Sequence, residues 1–172
     1  QDALAARLDL LRPSRQQILQ CLVDRPLQLS PGIERLVEQL HAAGKHVYLV
    51  SGGFRIMIEP VADLLKIPHD HIVANTIRFD DSDKEGTYVD FDPDEPTSRD
   101  MGKPRALQQL QSRHQYKTMV MVGDGATDAQ AKPPAAAFVG FGGVEIREKV
   151  QKTADWLVTD FDDMITIVEK YG

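Results

Sequence analysis

Apolar residues recur along this chain in two rhythms, one helical and one strand-like, and the two alternate. Leu4, Leu8 and Leu11 fall at helical spacing, and Ile18, Leu19 and Leu22 take up the same rhythm after Pro13-Ser14. The spacing predicts helix over 1–25 with a break at Pro13-Ser14, and Ser14 can cap the second piece. Ser30-Pro31-Gly32 opens another helix with Ile33, Leu36, Val37 and Leu40 on one face, and Ala43-Gly44 closes it. A short apolar run predicts a strand over 46–50, followed by a helix from Phe54 to Lys66. The stretch 71–92 alternates around the polar tip Asp80–Gly86 and reads as a β-hairpin with a loose turn. A polar loop over 93–102 leads to helix at Lys103–Tyr116, strand at 118–122 and a short helix at Asp128–Lys132 that Pro133-Pro134 stops. Strand at Ala137–Gly140, helix at Glu145–Lys152, strand at Trp156–Val158 and helix at 162–170 complete the pattern.

Strands alternating with helices imply an α/β fold: a Rossmann-like parallel sheet with flanking helices, in which ligands sit at the carboxyl ends of strands. Composition narrows the function. The 172 residues carry a net charge of −6 with no basic block, which argues against a nucleic-acid surface. Cys21 is the single cysteine, so no internal disulfide forms, and a reducing, cytoplasmic setting is expected. No apolar run is long enough to span a membrane, and residues 1–12 do not read as a secretory signal. The chain opens on Gln1 rather than Met, from which we expect its start not to be the natural one.

Chemistry concentrates at two strand ends. The apolar run Met119–Val122 breaks into Gly123-Asp124-Gly125-Ala126-Thr127-Asp128. Glycines let a backbone turn sharply, and carboxylate oxygens at a strand end suit Mg²⁺, which prefers octahedral oxygen ligation. The plainer reading is an Asp-Gly turn followed by an N-capping Asp. Val47–Val50 runs into Ser51-Gly52-Gly53, where a hydroxyl and backbone N–H groups at the start of a helix suit a phosphate; a tight turn has the same pattern. Lys103 opens a helix after the polar loop, either as a solvated lysine or as a cation that neutralises phosphate. Arg7 lies among Leu4, Leu8 and Leu11, either snorkelling or clamping a carboxylate. His69 and His71 flank Asp70 without an evident third ligand, Cys21 reads as a buried structural thiol, and Asp90–Asp94 reads as a surface turn.

Three motifs resemble the phosphoserine phosphatase family of the haloacid-dehalogenase-like superfamily: Leu49–Arg55, Gly123–Asp128 and Phe138–Gly143. Their order and spacing fit, the segment Leu8–Ser14 is similar to that family's passage from cap to core, and the resemblance covers essentially the whole chain. It implies residues 1–28 as a remnant of a helical cap, and 29–172 as the core domain without its first strand and with a β-hairpin insertion. It implies hydrolysis of O-phospho-L-serine, the last step of serine biosynthesis, with Mg²⁺. By the same resemblance Ser51, Gly52 and Gly53 bind the phosphoryl group, and Lys103 contacts phosphate and the nucleophile. Asp124 ligates the metal, Asp128 orients metal-bound water or Lys103, Thr127 lines the substrate pocket and Arg7 grips the substrate's carboxylate.

The family's chemistry begins at an N-terminal strand ending in Asp-x-Asp-x-Thr/Val, whose first Asp attacks phosphorus and whose second is acid and base. The Asp90–Asp94 run follows only Thr87-Tyr88-Val89 and is no counterpart. We therefore expect a truncated, inactive form whose Ser51 and Asp124 strands flank a gap, prone to self-association as a homodimer. Two other classes stay open: a non-catalytic module that binds phosphoserine, serine or a partner, and a phosphotransferase of the same superfamily.

Overall fold

The computed structural model describes residues 2–171. Along the chain lie α1 (Asp2–Leu11), α2 (Arg15–Asp24), α3 (Ile33–Ala42), β1 (Leu49–Phe54), α4 (Arg55–Leu64), β2 (Ile72–Asn75), β3 (Ile77–Phe79) and β4 (Tyr88–Phe91). Then follow α5 (Gly102–His114), β5 (Val120–Gly123), α6 (Ala126–Ala129), β6 (Ala137–Phe141), α7 (Glu148–Thr153), β7 (Trp156–Val158) and α8 (Phe161–Tyr171). The chain falls into two compact units. One combines the residues up to Gln28 with Tyr48–Asp100, and the other combines Leu29–Val47 with the residues from Met101 on.

In the first unit the break between α1 and α2 is a capping box. Gln17 N–H donates to Ser14 Oγ (3.1 Å) and Ser14 N–H donates to Gln17 Oε1 (2.9 Å), so two helix-start donors are satisfied reciprocally. Leu8 and Ile18 are buried with Ile77, Tyr88 and Phe91 in one cluster, so both helices lie on the β3–β4 hairpin. The tip fixes that contact: Gly86 has φ +65°, and a Cβ there would stand 2.8 Å from Arg15 Cβ. The hairpin itself spans only β3 and β4 (Ile77 opposite Phe91, Phe79 opposite Tyr88). Ile72–Asn75, expected in the same hairpin, instead pairs in parallel with β1. Ile72, Ala74 and Asn75 are all buried, as suits a strand covered on both faces, whereas a two-stranded hairpin keeps one face wet.

Strand β1 also departs from expectation. It starts at Leu49 and runs through Ser51-Gly52-Gly53 to Phe54, so the glycine motif lies inside the strand and not in a loop after it. The register explains how: Leu49 faces Ile72 and Val50 faces Val73, and then Phe54 faces Asn75. Three residues of β1 therefore oppose one of β2, Ala74, and the glycine motif forms a bulge larger than the usual two against one.

The second unit holds a parallel sheet in the order β5-β6-β7, with Val120 opposite Ala137 and Val139 opposite Trp156. Phe138 is fully buried in the middle strand. Leu36 of α3 packs with Phe161 and Ile165 of α8, and Phe141 stacks on Phe161 with ring centroids 4.2 Å apart. Pro104, Ala106, Leu107 and Leu110 make the buried face of α5. The α/β class with parallel sheets and flanking helices is as the pattern predicts; among the described residues backbone pairing divides the strands into sheets of two, two and three. Among the described residues no helix is long and apolar enough to cross a membrane.

Candidate active site

Each unit carries one set of the residues singled out from the sequence. In the first, the β1 bulge presents Ser51, Gly52 and Gly53. Ser51 Oγ accepts the Gly53 N–H at 3.0 Å, which leaves the hydroxyl's own hydrogen to donate outward. Nothing lies within 4 Å of the place a Cβ on Gly52 would take, so a ligand can approach that backbone closely. Behind the bulge, Asn75 Nδ2 donates to the Gly52 carbonyl at 2.8 Å, and Thr97 Oγ1 donates to Asn75 Oδ1 at 3.0 Å. Arg7 lies exposed on α1.

In the second unit the sheet ends at Gly123 and the chain turns at once into α6. Asp128 occupies the first turn of that four-residue helix, and its side chain folds back under the loop. It is 4% exposed. Asp128 Oδ2 accepts the Gly125 N–H at 3.0 Å, and Oδ1 takes the ammonium of Lys103, which projects from the start of α5. A buried carboxylate is stable only when it is paired and hydrogen-bonded, and this one is both. Gly123 makes room for it: a Cβ at that position would stand 2.2 Å from Asp128 Cγ. The Lys103 side chain keeps 17% of its surface exposed, and two of its three ammonium donors are not needed by Asp128.

Asp124 points the other way. Its side chain is 55% exposed and meets Arg147 Nη1 at 3.3 Å, and the same Nη1 donates to the Asp124 carbonyl. Thr127 is exposed on α6, directly after that loop. Among the described residues no three His, Cys, Asp or Glu side chains converge as a metal cage. One outward carboxylate still fits Mg²⁺ as a single ligand, because that ion keeps several waters and takes one or two carboxylates plus substrate phosphate oxygens.

The sequence left three side chains unmarked. Asn75, Thr97 and Arg147 belong to no spacing pattern, and Arg147 touches Asp124 only because the loop before α7 returns to it. Cys21, expected buried, is exposed on α2: the helix turns Ile18 inward and leaves Cys21 outside. His69 lies against Asp63 Oδ1 (2.7 Å), and the His71 ring stacks on Tyr48.

The haloacid dehalogenase-like hydrolase family model matches residues 3–131. "Phosphoserine phosphatase, chloroplastic" of Arabidopsis thaliana is 48% identical over 171 residues, which is 98% of this chain and 57% of that protein. Phosphoserine phosphatase of Bos taurus is 43% identical over 168 residues, covering 98% of this chain and 73% of the relative. The chain belongs to the phosphoserine phosphatase family of haloacid dehalogenase-like hydrolases. A crystal structure of a phosphoserine phosphohydrolase-like protein from Francisella tularensis superposes with a TM-score of 0.80 at 25% identity, over 96% of this chain and 76% of that one. The chain thus spans a little over half the length of its plant relative and about three quarters of the bovine phosphatase.

Proposed function

We propose that this chain is the phosphate- and metal-binding part of an enzyme that hydrolyses O-phospho-L-serine to serine and phosphate with Mg²⁺. The observation that carries the reading is the Gly123–Asp128 loop, which buries Asp128 against Lys103 while leaving Asp124 outward. In the first unit Ser51, Gly52 and Gly53 form the phosphoryl-binding segment: the Ser51 hydroxyl and Gly52 N–H meet the phosphoryl oxygens, Gly53 N–H orients the Ser51 hydroxyl, and Arg7 takes the substrate's carboxylate. In the second, Lys103 gives its remaining ammonium hydrogens to the phosphoryl group, Asp128 holds that lysine in place, and Thr127 lines the substrate pocket. Mg²⁺ bound at Asp124 supplies charge neutralisation of the transferring group.

The reading divides the chain into a cap remnant at 1–28 and a core at 29–172. It takes the nucleophilic and acid–base aspartates from a strand outside these 172 residues, so the chain alone binds without turning over. Among the described residues β5 pairs with β6 alone and leaves Val120 53% exposed, an edge that supports pairing with a further strand or with a second copy. Cys21 as the sequence's single cysteine supports a reducing, cytoplasmic setting.

The test is phosphate release from O-phosphoserine with Mg²⁺, by the 172-residue chain alone and by the chain fused to the part of the Arabidopsis thaliana relative that it does not span. Release by the fusion only, abolished by Asp124→Asn, is the expected result. Release by neither supports a binding module, and transfer of phosphate to an added alcohol in place of water marks a phosphotransferase. Release by the chain alone would place a nucleophile within these residues and overturn the proposal.

A further inference from the structure

A bulge that sets three residues against one leaves backbone groups that the ladder cannot serve. At the centre of this one the Gly52 carbonyl takes its hydrogen bond from a side chain, Asn75 Nδ2. Asn75 is the last residue of β2 and is 1% exposed. A carbonyl can only accept, so the amide nitrogen of Asn75 must face it and the amide oxygen must face the other way. There it meets Thr97 Oγ1, in the 3₁₀ turn Pro96–Ser98, whose hydroxyl must then donate. The chain of donors is fixed from end to end: Thr97 to Asn75, Asn75 to Gly52. On the far side of the same peptide bond, Gly53 N–H donates to Ser51 Oγ. The Gly52–Gly53 peptide plane is held at both its oxygen and its hydrogen.

We propose that Asn75, oriented by Thr97, is a positioning residue that sets this peptide plane and so aims the Ser51 hydroxyl and the bulge backbone at an anion. The proposal rests on reading the bulge as the phosphate-binding segment. An apolar residue at 75 would fill the same buried space but leave the Gly52 carbonyl without a donor, and the two-glycine peptide could then rotate. Asp at 75 would set a carboxylate oxygen against that carbonyl. Thr97→Val is the gentlest perturbation: its shape is kept, the hydroxyl is lost, and only the Gly52 carbonyl is left to orient the Asn75 amide, whose buried oxygen then lacks a donor.

The experiment measures two quantities on the ¹⁵N-labelled chain: hydrogen exchange of the Gly53 amide, and the affinity for inorganic phosphate by calorimetry. The variants are Thr97→Val, Thr97→Ser, Asn75→Asp and, as a control for the anion site itself, Ser51→Ala. In a folded Thr97→Val the Gly53 amide should exchange about tenfold faster and phosphate should bind roughly three- to tenfold more weakly, the loss expected for one neutral hydrogen bond. Thr97→Ser, which restores the donor, should recover both, and a packing defect would not. Wild-type Gly53 exchange in a folded Thr97→Val would overturn the proposal. If Ser51→Ala binds phosphate as the wild type does, the phosphate-site reading falls, while Gly53 exchange still decides whether Thr97 and Asn75 hold the peptide. Should Asn75→Asp fail to fold, the two Thr97 variants carry the decision.

Discussion

Replacing Gly123 with alanine is the sharpest perturbation of the Lys103–Asp128 arrangement, because it changes neither residue. The added Cβ would stand 2.2 Å from Asp128 Cγ and 2.6 Å from its Cβ and Oδ1, all well inside contact distance. The backbone of Gly123 is held opposite Gly140 in the parallel ladder, so the side chain must yield. Once Asp128 swings away it gives up both Lys103 and the Gly125 N–H. Breaking a buried ion pair costs about 3–5 kcal/mol, and a hydrogen bond to a charged group contributes about 1.5–3. The two losses overlap, and Lys103 can still reach water, so about 3 kcal/mol is the working figure. For a chain of this size that lowers Tm by about 6–12 °C. The assay is thermal and urea unfolding followed by circular dichroism, with the same substitution repeated in an Asp128→Gly background. There all three colliding atoms are gone and Gly123→Ala should cost less than about 0.5 kcal/mol, a coupling that a double-mutant cycle reads directly. A Tm within about 2 °C of wild type, or an undiminished cost in the Asp128→Gly background, would refute the reasoning.

Gly52→Ala should leave the melt within about 0.5 kcal/mol of wild type, since its Cβ meets nothing within 4 Å, yet weaken phosphate binding at the bulge; equal phosphate affinity by calorimetry would contradict it. Arg147→Met frees Asp124 from an exposed ion pair, so Mg²⁺ should bind about two- to fivefold more tightly by calorimetric titration, the range for pairs of that kind, and weaker binding would make Arg147 a support rather than a competitor. The hydrogen bond from Lys132, with that from Phe138 N–H, holds the Asp155 carboxyl below its ordinary value. A lowered native pKa means the unfolded chain takes up the proton first as the medium is acidified, so the stability Asp155 contributes is complete above about pH 4–5 and is lost below it. Asp155→Asn should therefore show a smaller fall in Tm between pH 5 and pH 3 than wild type, and equal falls would remove Asp155 from the acid transition.

What could be read from the sequence was what rests on short-range pattern. Pro13-Ser14 separates two apolar rhythms, and Ser14 caps α2 as a capping box. The strand over Trp156–Val158 and the helix of α5 rest on equally local signals. Register was the first thing that pattern could not give. A period-two stretch over 71–92 does not reveal that Ile72–Asn75 pairs with β1 rather than folding onto β4, because alternation specifies faces and not partners. The same limit hid the bulge: Ser51-Gly52-Gly53 reads equally well as a loop after a strand, and only pairing with β2 shows three residues set against one. The motif at Gly123–Asp128 located both carboxylates but not their division of labour. The pattern starts a helix at Asp128, whereas the helix begins at Ala126, and that shift turns the Asp128 carboxylate under the loop toward Gly125 and Lys103. Asn75 and Arg147 carry no local signal, since one is a lone polar residue at the end of an apolar strand and the other reaches Asp124 through a loop.

The measurement that bears most directly on the account is steady-state, Mg²⁺-dependent phosphate release from O-phospho-L-serine by the chain joined to the part of its Arabidopsis thaliana relative that it does not span, with wild type beside Lys103→Met. Loss of the ammonium that Asp128 holds should lower kcat/KM by about 100-fold or more, in the range for losing one charged group that stabilises a transition state. A Lys103→Met protein that releases phosphate at the wild-type rate would contradict the account, because the Lys103–Asp128 pair would then be a structural ion pair and nothing more.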